Sequence, residues 1–333
     1  MSVPLLLAPM AELSHRALRE LIERYGGCDF YFSEMISAAA LIAGGSFEKW
    51  YIDNLPRPKK LIFQLVSPDF DQNSRAAVIL NRIECAGIDI NMGCSAPLIR
   101  KTGAGAAWMR DIDRAGELIS RIRPIISRRL SVKLRTGYND DFEYLVRFCR
   151  RLEEEGVEFI TLHPRLVREK FKRLAKWEYI GALRKELKIP VAGNGDVSDA
   201  QELVQRAKGP CDAVMVGRAA VRKPWIFAQA KKNSTKEIHT AAPRYGEEER
   251  NKISINVFSG RVPPALEETG LTFLDLLVMY QPPEFHVSRA KRFFGFFCDN
   301  LKWGTFLKNR INREETLTGI EQAWREYFLQ NEE

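Results

Sequence analysis

One alternation constrains this chain more than anything else in it. Between residues 5 and 216, eight short apolar runs take turns with longer stretches of helical periodicity. The runs are Leu5–Leu7, Phe30–Ser33, Lys60–Leu65, Gly87–Asn91, Leu130–Arg135, Phe159–His163, Pro190–Gly193 and Ala213–Val216, too short for helices and rich in aliphatic residues. Between most of them lie Ser14–Tyr25, Asp69–Ala86, Ile112–Ile122, Asp141–Glu155, Trp177–Leu187 and Ser198–Lys208, each long enough for two or more helical turns. Strands joined through helices run parallel, because a tight hairpin cannot connect them. Eight such units in about 220 residues predict an α/β protein built on a closed (β/α)8 TIM barrel. An open, doubly wound sheet answers the same alternation.

In such a barrel the C-terminal strand ends carry the active site, and here those ends are polar. They bear Pro9-Met10-Ala11, Ser33-Glu34-Met35, Gln64, Asn91 to Cys94, Lys133 with Arg135, His163, Asn194-Gly195-Asp196 and Gly217-Arg218. Along Ser131–Arg135, a period of two sets Lys133 and Arg135 on the face opposite Val132 and Leu134. Two cations on the inner face of a barrel strand need an anion or a polar ligand to offset their burial. The loops at Gly193–Asp196 and Gly217–Ala220 follow strands seven and eight, where these barrels commonly grip a phosphate. A tight turn accounts for either glycine alone.

The stretch Gly87–Gly105 runs from a strand directly into Gly93-Cys94, then through Ser95, Pro97, Arg100 and Lys101 to Gly103-Ala104-Gly105. A thiol at a strand end, with positive charge beside it, is a reactive group presented above a rigid sheet. A small buried hydrophobe is the other reading of a free cysteine. The six cysteines (28, 85, 94, 149, 211 and 298) form no CxxC pair and no Cys/His cluster, which argues against a metal site and a disulfide scaffold and predicts reduced thiols. No apolar run is long enough to span a membrane, and Pro4 and Pro9 interrupt the only apolar stretch near the N-terminus. A cytoplasmic protein is the expectation.

Charge is unevenly spread. Residues 1–233 carry 38 Lys/Arg against 28 Asp/Glu, while residues 234–333 carry 13 against 15, although His286–Arg313 alone holds seven basic residues and one acid. These basic faces point to a polyanionic partner. After Phe227 the composition changes: Lys231 to Arg250 reads as a linker, and Phe273–Met279, Val287–Leu301 and Thr318–Phe328 as helices of a small C-terminal bundle. The division expected is a barrel over 1–233 and a helical domain over 234–333. In the middle helix Phe293, Phe294, Phe296 and Phe297 read as core, and Arg289, Lys291 and Arg292 as its exposed face.

The motifs Ala8-Pro9-Met10-Ala11, Ser33-Glu34-Met35-Ile36-Ser37-Ala38, Asp89-Ile90-Asn91-Met92-Gly93-Cys94, Lys133-Leu134-Arg135-Thr136-Gly137, Leu162-His163-Pro164-Arg165, Gly193-Asn194-Gly195-Asp196 and Val216-Gly217-Arg218 resemble, in this order, the motif set of the tRNA-dihydrouridine synthases. The resemblance covers about residues 4–228, and the helical tail is similar to that family's C-terminal domain more loosely. It implies FMN in the barrel mouth, NADPH as reductant, and reduction of the C5–C6 double bond of particular uridines in tRNA. It further implies that Pro9, Met10 and Ala11 contact the flavin through backbone, and that Gln64, Lys133 and His163 bond its ring system and ribityl chain. Asn194, Gly195, Asp196, Gly217 and Arg218 would hold the ribityl and phosphate end. Cys94 would donate a proton to uracil C5, which suits a thiol, since an ordinary thiol with a pKa of about 8.5 is mostly protonated at neutral pH.

Asn91, Arg135, Arg165, Arg168, Arg289, Lys291 and Arg292 complete the expected substrate contacts, with the basic segment Arg165 to Lys176 leaving strand six at the active-site end. The chain departs from the family pattern at Ser95, where a proline is usual, at Glu12, Ser14 and His15, and at Leu166 and Leu174-Ala175-Lys176. Two other functions fit parts of the pattern: an FMN barrel oxidoreductase acting on a small pyrimidine-like molecule, and a tRNA-binding chaperone without turnover. A monomer is the expected state.

Overall fold

The computed structural model describes residues 3–169, 172–241 (side chains to 234) and 265–330. Eight parallel strands close into a barrel in chain order: β1 Leu5–Leu7, β2 Phe30–Ser37, β3 Leu61–Val66, β4 Gly87–Met92, β5 Arg129–Gly137, β6 Phe159–Leu166, β7 Val191–Asn194 and β8 Ala213–Val216. Closure comes from β1 lying against β8, with Leu6 opposite Met215. All eight expected strands are present, and β2, β5 and β6 run several residues further than their apolar segments. Their polar C-terminal residues stay in the ladder by way of irregularities between Phe32 and Met35 and between Arg135 and Gly137.

Side-chain alternation along the strands builds two apolar layers. Leu6, Phe32, Ile62, Ala192, Ala213 and Met215 pack together inside the barrel. Leu5, Leu7, Phe63, Ile88, Ile90, Val132, Leu134, Leu162 and Val214 belong to the outer core against the helices. Toward the C-terminal end the interior turns polar, and Gln64, Asp89, Ser131, Thr161 and His163 are all buried there. Four crossover helices begin one residue after an aspartate that caps them: Asp69, Asp111, Asp141 and Asp199 each accept a backbone N–H from the first turn. Each such cap contributes on the order of 1 kcal/mol.

The stretch expected to be a linker from Lys231 begins instead as helix: Ile226–Ala241 is continuous, and the 233/234 boundary falls within it. Its sequence contains neither glycine nor proline to stop a helix that alanine and lysine favour. Residues 242–250 lie outside the described residues. The C-terminal bundle comprises Leu266–Tyr280, Pro283–Phe297, Gly304–Arg313 and Leu317–Gln330, the third of which the sequence pattern did not reveal. Phe273, Phe293, Phe294, Phe297 and Trp324 are fully buried at its centre, with Phe273 stacked on Phe293 at 3.7 Å. Each contributes about 2–3 kcal/mol through burial. The same apolar cluster continues into the outer layer of the barrel, and Tyr25 bonds Thr269 across the junction at 2.7 Å. Among the described residues no helix is long and apolar enough to cross a membrane.

Candidate active site

A cavity of about 550 Å³ opens at the C-terminal ends of the strands, with Cys94, Lys133, His163 and Arg218 in its wall. Cys94 is half-buried, whereas the other five cysteines are buried. Burial pushes the Cys211 thiol up to about 11 and Cys298 to about 12, so these groups stay inert. Cys94 is therefore the accessible thiol, and it sits where β4 ends.

A buried chain of hydrogen bonds holds its loop. Ser131 Oγ donates to Asp89 Oδ1 (2.6 Å), Gln64 Nε2 donates to Asp89 Oδ2 (2.7 Å), and Asn91 Nδ2 donates to Gln64 Oε1 (2.8 Å). Asn91 Oδ1 then accepts the backbone N–H groups of Cys94 (2.9 Å) and Gly93 (3.2 Å). A carboxylate only accepts, so Asp89 dictates the direction of every bond up to the cysteine. Burial raises the Asp89 carboxyl to about 6, against the pull of Ser131, Gln64 and Lys133. On the other side of the loop, Gly105 has φ +61°, and a Cβ there would stand 2.8 Å from the Cys94 carbonyl oxygen. Only glycine serves both requirements.

Positive charge faces this loop. Burial first, then Arg135, lowers the Lys133 ammonium to about 8, while Asp89 and Cys94 oppose the shift. Arg135 donates through Nε to the Gly93 carbonyl at 3.1 Å. Arg165 is 3% exposed, with Nη1 2.8 Å from His163 Nε2 and Nη2 paired with Asp196. A guanidinium cannot accept, so the Nε2 lone pair faces Arg165 and the ring proton sits on Nδ1. Burial, followed by the surrounding cations, keeps His163 well below the usual histidine range, and it is neutral. Asp196, at φ +54°, spends its second oxygen on the Ala175 N–H (2.6 Å). This ties the loop after β6 to the loop after β7.

The family model for dihydrouridine synthase matches residues 6–264. The chain belongs to the dihydrouridine synthase family. It is 30% identical over 239 residues to a probable tRNA-dihydrouridine synthase of Aquifex aeolicus, covering 70% of this chain and 74% of that one. A probable tRNA-dihydrouridine synthase of Rhodobacter capsulatus is 32% identical over 229 residues, covering 68% and 70%. A tRNA-dihydrouridine(16) synthase of Neisseria meningitidis is 30% identical over 236 residues, covering 68% and 71%. Among solved structures, a variant of NCR from Zymomonas mobilis superposes with a TM-score of 0.50 at 16% identity, covering 69% of this chain and 87% of that one, a likeness of fold. This dihydrouridine synthase is thus an oxidoreductase that reduces uridine to dihydrouridine in tRNA.

The fold brings together Pro9, Met10, Ala11, Asn91, Cys94, Lys133, Arg135, His163, Arg165, Asn194, Gly195, Asp196, Gly217 and Arg218 around one cavity, and adds Arg292 from the bundle helix. Several expected roles change. Gln64 is fully buried and absent from the cavity wall, its amide committed to Asp89 and Asn91, so it supports the loop rather than touching a ligand. The Met10 N–H is taken by Ser14 Oγ at 2.9 Å, which leaves that residue's side chain to face the cavity. Arg165 is a buried strut and offers no surface to tRNA phosphates. Arg289 is 2% exposed and paired with Glu34 (3.0 Å), so the expected exposed face of its helix shrinks to Lys291 and Arg292. A helix that packs both against its own bundle and against a barrel buries more of its circumference than a single apolar stripe suggests. Arg168 is exposed and donates to the Tyr138 carbonyl at 2.9 Å. Asp89 was read only as part of a motif and given no role of its own; its signal was a lone acid between two isoleucines in a strand.

Proposed function

We propose that this dihydrouridine synthase binds FMN in the barrel mouth, takes its electrons from NADPH, and uses Cys94 to protonate C5 of the target uridine. The observation that carries the reading is one accessible thiol among six, in the same cavity as Lys133, whose ammonium has no hydrogen bond or ion pair among the described residues. A half-buried cation at a cavity wall without a protein partner calls for an anionic or polar ligand. The residues fit FMN: the cavity is within the roughly 300–1,000 Å³ usual for cofactor sites. Gly195, at φ +127°, keeps a Cβ from coming within 3.0 Å of the His163 ring.

Lys133 and the Nδ1–H of His163 would bond the ring and ribityl chain, and Asn194, Gly195, Gly217 and Arg218 the phosphate end. Pro9, Met10 and Ala11 would line the remaining side. Asp196 acts through Arg165, since both of its oxygens are engaged. Bound there and reduced by NADPH, FMN would supply the hydride for uracil C6. Cys94 Sγ gives its proton to C5 as the C5–C6 bond becomes single, and the thiolate left behind regains a proton from solvent, which its half-exposed position permits. Lys133 and Arg135 favour the negative charge that develops beside them. The uridine has to leave its stack to reach a group at this depth. Asn91 and Arg135 flank that base, while Arg168, Lys291 and Arg292 bear on tRNA phosphates from the barrel loops and the bundle, in a monomer. The test is flavin content of the purified protein together with NADPH-dependent dihydrouridine formation in an unmodified tRNA transcript. About one FMN per chain is expected, and protein that stays colourless after addition of FMN refutes the reading.

A further inference from the structure

Two cation–carboxylate pairs join the bundle to the first loop of the active site, and they lie one helical turn apart. Arg289 and Arg292 are neighbours at i and i+3 on the helix Pro283–Phe297. Arg289 Nη2 meets Glu34 Oε2 at 3.0 Å, and the two side chains are 2% and 3% exposed. The other oxygen of Glu34 accepts the backbone N–H of Glu12 at 2.6 Å. Glu12 then pairs through its own carboxylate with Arg292 at 3.5 Å, where both side chains are about half exposed (52% and 54%). Its backbone is left-handed, φ 62°, a conformation that a residue with a Cβ keeps only when its surroundings hold it there. The loop so held carries Met10 and Ala11 into the cavity, and Arg292 lines the same cavity.

The two pairs differ in kind. The Arg289–Glu34 pair is dry, and the Phe285 ring lies 4.7 Å from the guanidinium; it exchanges partners with difficulty. The Arg292–Glu12 pair is long and solvated, so an arriving phosphate can take the guanidinium from the carboxylate at little cost. One pair is an anchor and the other is exchangeable. Within the lining of the cavity, Arg292 is the sole contribution of the C-terminal bundle among the described residues.

We propose that Glu34 is a positioning residue for tRNA capture: it fixes the rotation of the helix Pro283–Phe297 against the first loop, so that Arg292 stands at the cavity mouth and meets a phosphate beside the extruded uridine. The inference rests on the assignment of this cavity to uridine reduction. Glu34→Gln tests it. The amide oxygen still accepts from Glu12, while its N–H groups oppose the Arg289 guanidinium, donor against donor.

Kinetics with a tRNA transcript, and NADPH oxidation by oxygen without tRNA, are measured on wild type and variant. The expected result is a rise of about tenfold or more in KM for tRNA, with a flatter salt dependence and kcat within about twofold. NADPH oxidation without tRNA is unchanged. A wild-type KM in Glu34→Gln overturns the proposal, as does an equal fall in tRNA reduction and NADPH oxidation, which would mark a purely structural pair. If Glu34→Gln does not fold, Glu34→Asp keeps the charge, withdraws it by one methylene and is read in the same way. Wild-type protein that forms no dihydrouridine would instead refute the activity assignment, before any variant is compared.

Discussion

Replacing Asp89 by asparagine asks whether the buried hydrogen-bond chain positions the cysteine. The change is nearly isosteric, but it puts a donor at the end of a chain whose directions the carboxylate sets. With Ser131 still donating to the oxygen, the new amide nitrogen faces Gln64 Nε2 in place of an oxygen 2.7 Å away. Two donors cannot bond, so Gln64 has to flip, and then Asn91, which presents its own donor to the N–H groups of Gly93 and Cys94. The mismatch costs about 1–3 kcal/mol wherever it lodges. Gln64 and the side chain at position 89 are fully buried, whereas Gly93 and Cys94 are half-exposed and can turn to water. The defect therefore moves to the cysteine loop. A displacement of the thiol by about 1 Å costs on the order of a hundredfold in the step that needs it. Single-turnover dihydrouridine formation, followed by rapid quench, should fall by about that factor, with flavin content changed far less.

The substitution also has a signature in pH. Burial raises the Asp89 carboxyl from 3.8 to about 6, so the folded protein holds this proton more tightly than the unfolded chain. Its contribution to stability is full below about pH 4 and is lost as the pH rises through 6, about two units at 1.36 kcal/mol each, or roughly 3 kcal/mol. The asparagine of the variant does not titrate. Wild type should gain on the variant by that amount in denaturant unfolding between pH 7 and pH 4. A wild-type single-turnover rate in Asp89→Asn would show that the chain does not position Cys94.

Cys94→Ala should leave NADPH oxidation by oxygen in place and lower dihydrouridine formation by about a hundredfold or more, the usual size for a lost general acid; full tRNA activity would end its assignment as proton donor. Lys133→Met should weaken FMN retention, measured by equilibrium dialysis. In wild type, where Lys133 titrates at about 8, retention should also fall as the pH rises through that value, and a Lys133→Met variant with the same pH profile would remove the lysine from the site. Removing the exposed cations Arg168, Lys172 and Arg173 should raise the tRNA Kd and lower its salt slope by up to about three, whereas unchanged binding across a salt series would place the RNA surface elsewhere.

The barrel was legible in the sequence because its cause is local. Strand length, crossover length and side-chain alternation are all written within ten or fifteen residues, and Lys133 and Arg135 fell on the inner face as period two requires. The cysteine loop and the glycine loops were legible for the same reason: a strand end and a break in periodicity are visible in the chain itself. Three helix starts were placed a residue or two early because Asp69, Asp141 and Asp199 face both ways, as the last residue of a loop and the cap of a helix, whereas the start at Ile112 after Asp111 was read correctly.

What tertiary structure alone decided is which polar side chains would meet one another. Gln64 and Asp89 are 25 residues apart, and only the register of β3 on β4 turns them into one hydrogen-bonded unit beneath Asn91. Arg289 and Glu34 are 255 residues apart. Read alone, Arg289 is a cation among surface cations; packed against the barrel, it is a buried partner of a carboxylate on β2. Burial of a charge is a property of the assembled surfaces on both sides of it. No local pattern in the chain records which of several cations on a helix will find an acid waiting across the interface.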